Sequence, residues 1–167
     1  ALLADKPPGL LLVHEIYKSL QGESLHTGQP CAFVRLAVCD ARCRWCDTPH
    51  AFSQGELRPL RAVVEQVLGL GVARVLVTGG EPLLQPEALE LMQELGDHGL
   101  TVLLETSGAH DLRPVDRRVH VVMDIKCPAS GEHERNLWEN LEALKPSDEV
   151  KLVISTDSHH TRHLEHM

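Results

Sequence analysis

Several features that would direct this sequence toward other classes of protein are scarce. Aromatic residues make up 3% of the chain, too few for the stacking platforms of single-strand-binding proteins. No apolar run approaches the roughly 20 residues of a membrane-spanning helix. Lysine and arginine total 16 against 24 acidic residues, and the formal net charge is −8. A negative chain argues against nucleic acid as the main partner, so we expect neither nucleic-acid nor membrane binding.

Secretory features are also missing. The stretch from Ala1 to Val13 has an apolar patch but no basic region and no clear small-residue cleavage site, so we read no signal peptide. The five cysteines are odd in number and do not suggest a disulfide framework. We therefore expect a cytoplasmic protein that acts on small molecules.

Apolar runs alternate with stretches of helical spacing over one predicted domain, residues 1–167. The predicted strands are 32–38, 74–78, 101–105, 119–124 and 150–154, and the predicted helices are 60–70, 86–96 and 135–144. Buried strands separated by helices are typical of a parallel sheet with right-handed β-α-β crossovers. We therefore expect an α/β fold with its helices outside the sheet.

Unusual residues follow the predicted strands at their carboxyl ends. Cysteines follow the first strand, and the later strands run into Thr78–Pro82, Glu105–Gly108 and Asp124–Cys127. In α/β barrels and open α/β sheets the site lies at this edge. The sequence therefore predicts one site built from several strand ends.

The most specific feature is Cys39-x3-Cys43-x2-Cys46, which places three thiols on one short loop. Thiolates suit iron–sulfur clusters, zinc and copper(I). Three are one short of the four that complete a structural zinc site or ligate every iron of a [4Fe–4S] cluster. A cluster with three protein ligands keeps one iron open for a substrate or cofactor. A zinc site with His50 as fourth ligand also fits the spacing, so the loop alone leaves both readings open.

This loop, with its preceding strand and Trp45, resembles the radical S-adenosylmethionine (SAM) superfamily. In that superfamily the open iron chelates SAM, and reductive cleavage of SAM gives a 5′-deoxyadenosyl radical. The Gly79-Gly80 turn is similar to the superfamily's glycine-rich element, since two glycines let the backbone approach a ligand closely. The resemblance implies a partial, compact (β/α) barrel, a [4Fe–4S] cluster and SAM.

Further segments resemble the 7-carboxy-7-deazaguanine synthase family within that superfamily. They are residues 20–23 with Gly28, Pro30 and 33–36, residues 46–48, residues 78–82 with 105–108, and residues 124–131. That family converts 6-carboxy-5,6,7,8-tetrahydropterin to 7-carboxy-7-deazaguanine by radical ring contraction with loss of ammonia. The resemblance therefore implies a carbon–nitrogen lyase of the deazapurine (queuosine precursor) pathway.

The resemblance also implies roles for individual residues. Cys39, Cys43 and Cys46 would hold the cluster, and Thr48 would be a Mg²⁺ ligand. The implied SAM-site residues are Trp45, Cys46, Asp47, Gly80, Glu81, Asp124, Ile125 and Lys126. The implied pterin-binding residues are Leu20, Gln21, Gly22, Glu23, Arg35 and Thr78. No catalytic side chain is assigned.

Simpler roles exist for several of these side chains. Arg35 suits bidentate binding of a substrate carboxylate, but it also suits a structural ion pair with Glu81 or Glu105. The alternatives for the others are a turn carboxylate at Glu23, a turn hydroxyl at Thr48 and a plain surface charge at Lys126. Packing roles are predicted for Cys31, Cys127, His14 and His50, which lie outside the triad.

Other partners follow from the family or from general principles. The resemblance implies a flavodoxin or ferredoxin as reductant. We expect a homodimer, because compact folds of this kind leave a sheet edge or helix face for a second copy to cover. The family continues beyond its fifth strand, so we expect this chain either to be a very short member or to lack residues at its C-terminal end near Met167.

Two other functions stay open from the sequence. One is a radical SAM activating enzyme that installs a glycyl radical on a partner protein, since its cysteine loop has the same spacing. The other is a non-catalytic zinc-binding module. The segments 20–23 and 124–131 favour the synthase over the activating enzyme, and metal content and colour would distinguish the zinc module.

Overall fold

A computed structural model describes residues 3–153 of the chain, in which seven strands form one sheet. The strands are β1 Leu10–Leu20, β2 Pro30–Leu36, β3 Glu56–Pro59, β4 Arg74–Gly79, β5 Thr101–Thr106, β6 His120–Ile125 and β7 Glu149–Leu152. The α-helices are α1 Leu60–Gly69, α2 Glu87–Asp97 and α3 Asn140–Ala143. Short 3₁₀ helices lie at Pro49–Phe52, Pro82–Leu84, Pro128–Ser130 and His133–Arg135.

The sheet has the strand order β3-β1-β2-β4-β5-β6-β7. Strands β2, β4, β5, β6 and β7 pair in parallel, which confirms the five predicted strands and the α/β class. Strands β1 and β3 pair antiparallel at one edge and were not predicted. Within the described residues the sheet is open, as a partial barrel requires. The end of the last predicted strand, residue 154, lies outside the described range.

Helices α1 and α2 cover one face of the sheet, as their apolar spacing predicts. The buried side of α1 includes Val63, Val64 and Val67, and that of α2 includes Leu91 and Leu95. They join one core with the side chains that the strands point toward them. None of the helices in residues 3–153 has the length and apolar character that crossing a bilayer needs.

The predicted helix over 135–144 was mostly wrong. Only a 3₁₀ turn at His133–Arg135 and the short α3 occur there. Two asparagines explain the difference, because their side chains bond to distant backbone instead of sitting on a helix surface. Asn136 pairs with both the N–H and the carbonyl of Lys126, and Asn140 holds the backbone around residues 108–112. Such side-chain bonding competes with helix formation.

The opposite face of the sheet is apolar at one end and polar at the other. Successive residues of a strand point to opposite faces, so residues i and i+2 share one. Phe33, Leu76 and Leu103 form the apolar part with Cys31, and Tyr17 packs against them. The residues two positions further along, toward the carboxyl ends of the same strands, are Arg35, Thr78 and Glu105. This order places a polar row directly beside the cysteine loop.

Candidate active site

A cavity of about 570 Å³ lies over the carboxyl ends of the strands, where the sequence predicts the site. Its lining comes from β1, β2 and β4 to β7 together with residues that follow each of these strands. The volume is within the range of small-molecule sites. Two loops that are distant in sequence, the cysteine loop and the 20–23 segment, meet across this cavity.

The cysteine loop begins with a strained residue at the end of β2. Val38 has φ of 76°, a left-handed conformation that is an outlier for a β-branched side chain. Both of its backbone groups are bonded, the N–H to the carbonyl of Ala51 at 2.7 Å and the carbonyl to the N–H of Glu81 at 2.9 Å. These two bonds hold the turn that directs the chain from the sheet into the cysteines.

Contacts from the far side of the cavity hold the same loop. The N–H of Arg42 donates to Glu132 at 2.8 Å, and the N–H of Arg44 donates to the carbonyl of Ser130 at 3.0 Å. The Arg135 guanidinium donates to the carbonyl of Asp40 at 2.8 Å and also pairs with its carboxylate. The segment after β6 therefore fixes the position of the three thiols.

The three sulfurs fit an iron–sulfur cluster better than a single ion. Cys39, Cys43 and Cys46 all line the cavity and are half-buried. Within the described residues their sulfurs do not form a set whose atoms all lie within 4.8 Å of one another. A tetrahedral zinc ion with bonds of about 2.3 Å would hold its sulfurs about 3.8 Å apart, whereas sulfurs bound to different irons of a cluster stand farther apart.

The zinc alternative loses its fourth ligand as well. His50 lies with His14 and Glu15 in a separate group, and it does not line the cavity that holds the cysteines. Burial raises the pKa of the Cys39 thiol to about 11, and it also raises that of Cys43. These thiols are therefore neutral without a metal, and metal binding must release their protons.

Gly79 and Gly80 allow two backbones to meet. A Cβ on Gly79 would lie 2.1 Å from the Leu36 carbonyl oxygen, and one on Gly80 would lie 2.1 Å from that of Val38. The sequence predicts these glycines for close approach to a ligand, but the observed close approach is to β2 and the start of the cysteine loop. Gly80 also lines the cavity; its N–H donates to the Leu36 carbonyl at 3.0 Å, which leaves its carbonyl oxygen for a ligand.

Glu81 does not present its carboxylate to the cavity. It is fully buried and accepts hydrogen bonds from the Leu83 N–H at 3.0 Å, the Thr106 hydroxyl at 2.9 Å, and the N–H and hydroxyl of Ser107 at 2.8 and 2.6 Å. These four donors surround both oxygens. The Glu81 side chain therefore connects the loop after β4 to the loop after β5. Its backbone is bonded too, the N–H to the Val38 carbonyl at 2.9 Å and the carbonyl to the Leu84 N–H at 3.2 Å, so the predicted SAM-site role of Glu81 is replaced by a structural one.

Arg35 lines the cavity and makes a different ion pair from the two that the sequence suggests. Its Nε donates to Glu15 at 2.8 Å, and one terminal nitrogen donates to the Tyr17 hydroxyl at 3.4 Å. Burial alone would lower the pKa of Arg35, but these partners outweigh burial and raise it. The guanidinium is thus held charged, on the inward face, by β1.

A group of polar side chains crosses the cavity beside Arg35. Thr78 donates to Glu105 at 3.1 Å, and Lys151 lies 2.7 Å from Glu23 and 3.9 Å from Glu105. Burial raises the pKa of Glu105, although Lys151 opposes the shift. Burial would lower the pKa of Lys151, but the bond to Glu23 and the charge of Glu105 raise it. One lysine thus joins the two carboxylates.

Asp124 and Lys126 form a second charged pair at the end of β6. Lys126 Nζ lies 2.6 Å from Asp124 Oδ2. Burial would lower the pKa of Lys126, but the neighbouring Asp124 raises it. The other oxygen, Asp124 Oδ1, is buried without a hydrogen-bond partner in the described part of the chain, and so is Nε2 of Gln21. Unpaired buried polar atoms beside a cavity are suited to a ligand.

The cavity brings together almost every residue that the sequence predicts for the site. Among the predicted residues, only Glu81 and Ile125 do not line it, and Ile125 is buried in the core. Glu105 and Lys151 line it without having been assigned a role. The signal that identifies them is a charged residue within an apolar stretch, since Glu105 follows Val102–Leu104 in β5 and Lys151 stands between Val150 and Leu152 in β7. Cys31 and Cys127 are buried and free, as predicted.

Comparison with known proteins agrees with this geometry. The sequence model of the radical SAM superfamily matches residues 34–167. A 7-carboxy-7-deazaguanine synthase of Koribacter versatilis is 47% identical over 145 residues, which cover 86% of this chain and 64% of the relative. A second one, of Chlorobaculum tepidum, is 43% identical over 151 residues, covering 89% of this chain and 69% of the relative.

A solved structure shares the fold. The crystal structure of QueE from Escherichia coli superposes with a TM-score of 0.69 at 23% identity, covering 94% of this chain and 89% of that one. Superfamily membership implies the [4Fe–4S] cluster and SAM that the cysteine loop fits. The chain spans 64% of the length of the Koribacter relative. On these matches, the chain belongs to the radical SAM superfamily and, within it, to the 7-carboxy-7-deazaguanine synthase family.

Proposed function

We propose that this chain, as a radical SAM domain over residues 1–167, converts 6-carboxy-5,6,7,8-tetrahydropterin to 7-carboxy-7-deazaguanine with loss of ammonia. One observation carries the proposal. The cysteine triad, Arg35 and a carboxylate pair on Lys151 all line a single cavity of about 570 Å³. A thiolate triad with an open position suits cluster chemistry, and the polar row beside it suits a flat, polar, anionic heterocycle.

Arg35 is the group suited to the substrate's 6-carboxylate. Glu15 and Tyr17 occupy its Nε and one terminal nitrogen. In the described residues its other terminal nitrogen has no partner, so N–H donors remain for a carboxylate. A guanidinium offers planar donors for such a group. Because Glu15 and Tyr17 of β1 hold the Arg35 side chain, it is oriented before the substrate binds. This lowers the entropy cost of binding.

The pterin ring has an aminopyrimidinone edge that offers N–H donors and a carbonyl acceptor. Glu23 and Glu105 supply acceptors, and the unpaired Gln21 Nε2 supplies a donor. Leu20, Gly22 and Thr78 complete the proposed contacts. A site with unpaired polar groups rejects a ligand that lacks the matching atoms, so this row gives specificity for the pterin edge.

Cys39, Cys43 and Cys46 would hold the cluster, and the SAM site would use Trp45, Asp47, Gly80, Asp124 and Lys126. When bound, cluster and SAM supply a 5′-deoxyadenosyl radical. The chain's own part is positional. Lys126 holds one Asp124 oxygen at 2.6 Å and leaves the other free to accept from a cationic amino group or a hydroxyl. The apolar floor of Phe33 and Leu76 limits the water that reaches the site.

Thr48 is the proposed Mg²⁺ ligand. It lines the cavity two residues after Cys46, with its hydroxyl 3.9 Å from that sulfur. Mg²⁺ prefers oxygen ligands and keeps several waters, so one protein oxygen completed by substrate and water is a reasonable set. The ion would orient the substrate.

Other proposals come from the family and concern partners. We propose a flavodoxin or ferredoxin as the electron donor, because the cysteine loop opens to a cavity that is accessible from the surface. We also propose a homodimer. An apolar residue of the edge strand β3, Leu57, is 45% exposed and offers surface for a second copy.

Anaerobic turnover tests the function. Reconstituted protein receives SAM, a reductant and the carboxytetrahydropterin, and the products are separated by chromatography with mass detection. We expect 7-carboxy-7-deazaguanine and ammonia to form together. Cys43→Ala is the matched control, since it removes one sulfur and should form neither product.

The assay also separates the alternatives. Cleavage of SAM without any deazapurine would contradict the synthase and favour a glycyl-radical activating enzyme. Protein that holds zinc on the cysteine loop and never cleaves SAM would favour the binding module. The geometry opposes this last outcome, because His50 groups with His14 and Glu15 and not with the three sulfurs.

A further inference from the structure

Outside the cavity, three metal-ligating side chains come together where β1 meets the 3₁₀ helix Pro49–Phe52. One ligand atom each from His14, Glu15 and His50 all lie within 4.8 Å of one another. This is the one such group in residues 3–153. None of the three side chains lines the cavity, so the group is separate from the proposed cluster and substrate sites.

A bulge in β1 brings two consecutive side chains to this place. The pairing of β1 with β2 shifts register between Val13 and Glu15, which leaves His14 out of the ladder. In a regular strand, neighbouring residues point to opposite faces. A bulge bends the strand and redirects a side chain, and bulges are often found beside functional sites. His50 reaches the bulge from the 3₁₀ helix, with its ring centroid 4.9 Å from that of His14.

His14 is oriented as a metal ligand would be. Its Nδ1 lies 2.8 Å from the carbonyl oxygen of Gln54. A carbonyl only accepts hydrogen bonds, so Nδ1 carries the proton and Nε2 carries the lone pair in the neutral ring. Metal-bound histidines commonly donate their other ring N–H to a backbone carbonyl in this way, which fixes tautomer and orientation.

Glu15 adds the anionic ligand. One of its oxygens accepts from Arg35 Nε at 2.8 Å. This bond orients the carboxylate and leaves its second oxygen for another partner. His50 is exposed and its side chain makes no hydrogen bond within the described residues, so its ring can rotate toward an ion.

We propose that His14, Glu15 and His50 bind one divalent transition-metal ion of the zinc type. Two imidazoles and one carboxylate are a ligand set found at zinc sites with an open position. Mg²⁺ is a poor fit, because it prefers oxygen ligands. Ligands about 2.0–2.2 Å from a tetrahedral ion stand about 3.4 Å apart, and side-chain rotation of the exposed His50 closes the remaining distance.

A metal ion here would connect the segment that follows the cysteine loop to β1. His50 lies four residues after Cys46, and Glu15 holds Arg35, so the ion would bridge the two sides of the cavity from outside it. This site does not depend on the proposed synthase activity. Zinc bound at this site would be present in addition to the iron that the cysteines hold.

Zinc titration of the full chain tests the site. Anaerobically reconstituted wild type, His50→Ala and His14→Ala are titrated with zinc chloride against a chromophoric chelator, and iron is measured in each sample. His98→Ala is the matched control, since His98 is also exposed and lies on α2's C-terminal end. Zinc bound to the cysteines or to the histidines of residues 156–167 is common to all samples, so the difference between samples reports this site.

We expect wild type and His98→Ala to bind one zinc equivalent more tightly than either site variant, by at least roughly 10- to 100-fold, the range seen when only an outer-shell partner is lost. The double variant His14→Ala/His50→Ala should lose no more zinc than each single variant, and the iron content should not change. Equal zinc affinity in wild type and His50→Ala would overturn the site. Loss in His50→Ala with full binding in His14→Ala would overturn the three-ligand assignment.

Discussion

Replacing Glu81 with glutamine tests whether its side chain supports the loops or binds a ligand. Glu81 is fully buried, and both of its oxygens accept two hydrogen bonds each from the loops after β4 and β5. Glutamine has nearly the same shape, so the substitution opens no cavity. It replaces one acceptor oxygen with an NH2 group, which points at the N–H and O–H groups that had donated to that oxygen.

The expected loss of stability follows from these contacts. One backbone N–H, that of Leu83 or of Ser107, would lose its acceptor, at a cost of about 1–3 kcal/mol. The two bonds that remain would become neutral, and each would lose about 1 kcal/mol relative to its charge-assisted form. The free energy of unfolding should therefore fall by about 3–5 kcal/mol, a large part of the stability of an ordinary domain.

Urea unfolding of the apoprotein, followed by circular dichroism, measures this loss. Glu90→Gln is the control, because Glu90 is exposed on α2 and should change the free energy of unfolding by less than about 0.5 kcal/mol. If the Glu81 carboxylate instead contacts SAM, Glu81→Gln would unfold like wild type and bind SAM more weakly. That result would refute the supporting role.

Three further predictions concern the cavity. Gly80→Ala places a Cβ 2.1 Å from the Val38 carbonyl oxygen, so the cysteine loop must shift and we expect the iron bound per chain to fall by more than half. Gly69→Ala is the control; its Cβ would meet open space, so the iron content should not change. The raised pKa of Glu105 means that native protein binds a proton more tightly than unfolded chain, so wild-type stability should fall as pH rises from the ordinary glutamate range through the raised value. Glu105→Gln should not show this fall, and parallel stability–pH curves would contradict the burial argument. Arg35→Lys should raise KM for the carboxytetrahydropterin by about tenfold or more with a smaller effect on kcat, because it loses the planar donors; an unchanged KM would place the substrate carboxylate elsewhere.

The parallel part of the fold was predictable because its strands are short, buried and separated by turn residues. Runs such as 74–78 and 101–105 have no other reading of comparable strength. Strand β1 was not predictable in the same way. Its eleven residues, Leu10–Leu20, change from an apolar run to polar residues and include the bulge at His14, so they show neither clean alternation nor one continuous apolar run.

The sequence predicted where the candidate site lies, but it did not predict which side chains contact each other there. The cysteine spacing and the polar strand ends locate it in the sequence. What distinguishes Glu81 from Glu105 is their tertiary surroundings. Both follow an apolar run in the sequence, but only Glu105 faces the cavity, while donors from the loops enclose Glu81. Arg35 is similar, since its partner Glu15 lies on an antiparallel strand that the sequence pattern did not indicate.

Everything proposed for the cavity depends on Cys39, Cys43 and Cys46 holding an iron–sulfur cluster. Iron analysis and the visible spectrum of anaerobically reconstituted protein test this most directly. We predict about four irons per chain with broad visible absorption, both lost in Cys43→Ala. Colourless protein with no more iron than Cys43→Ala would contradict the account.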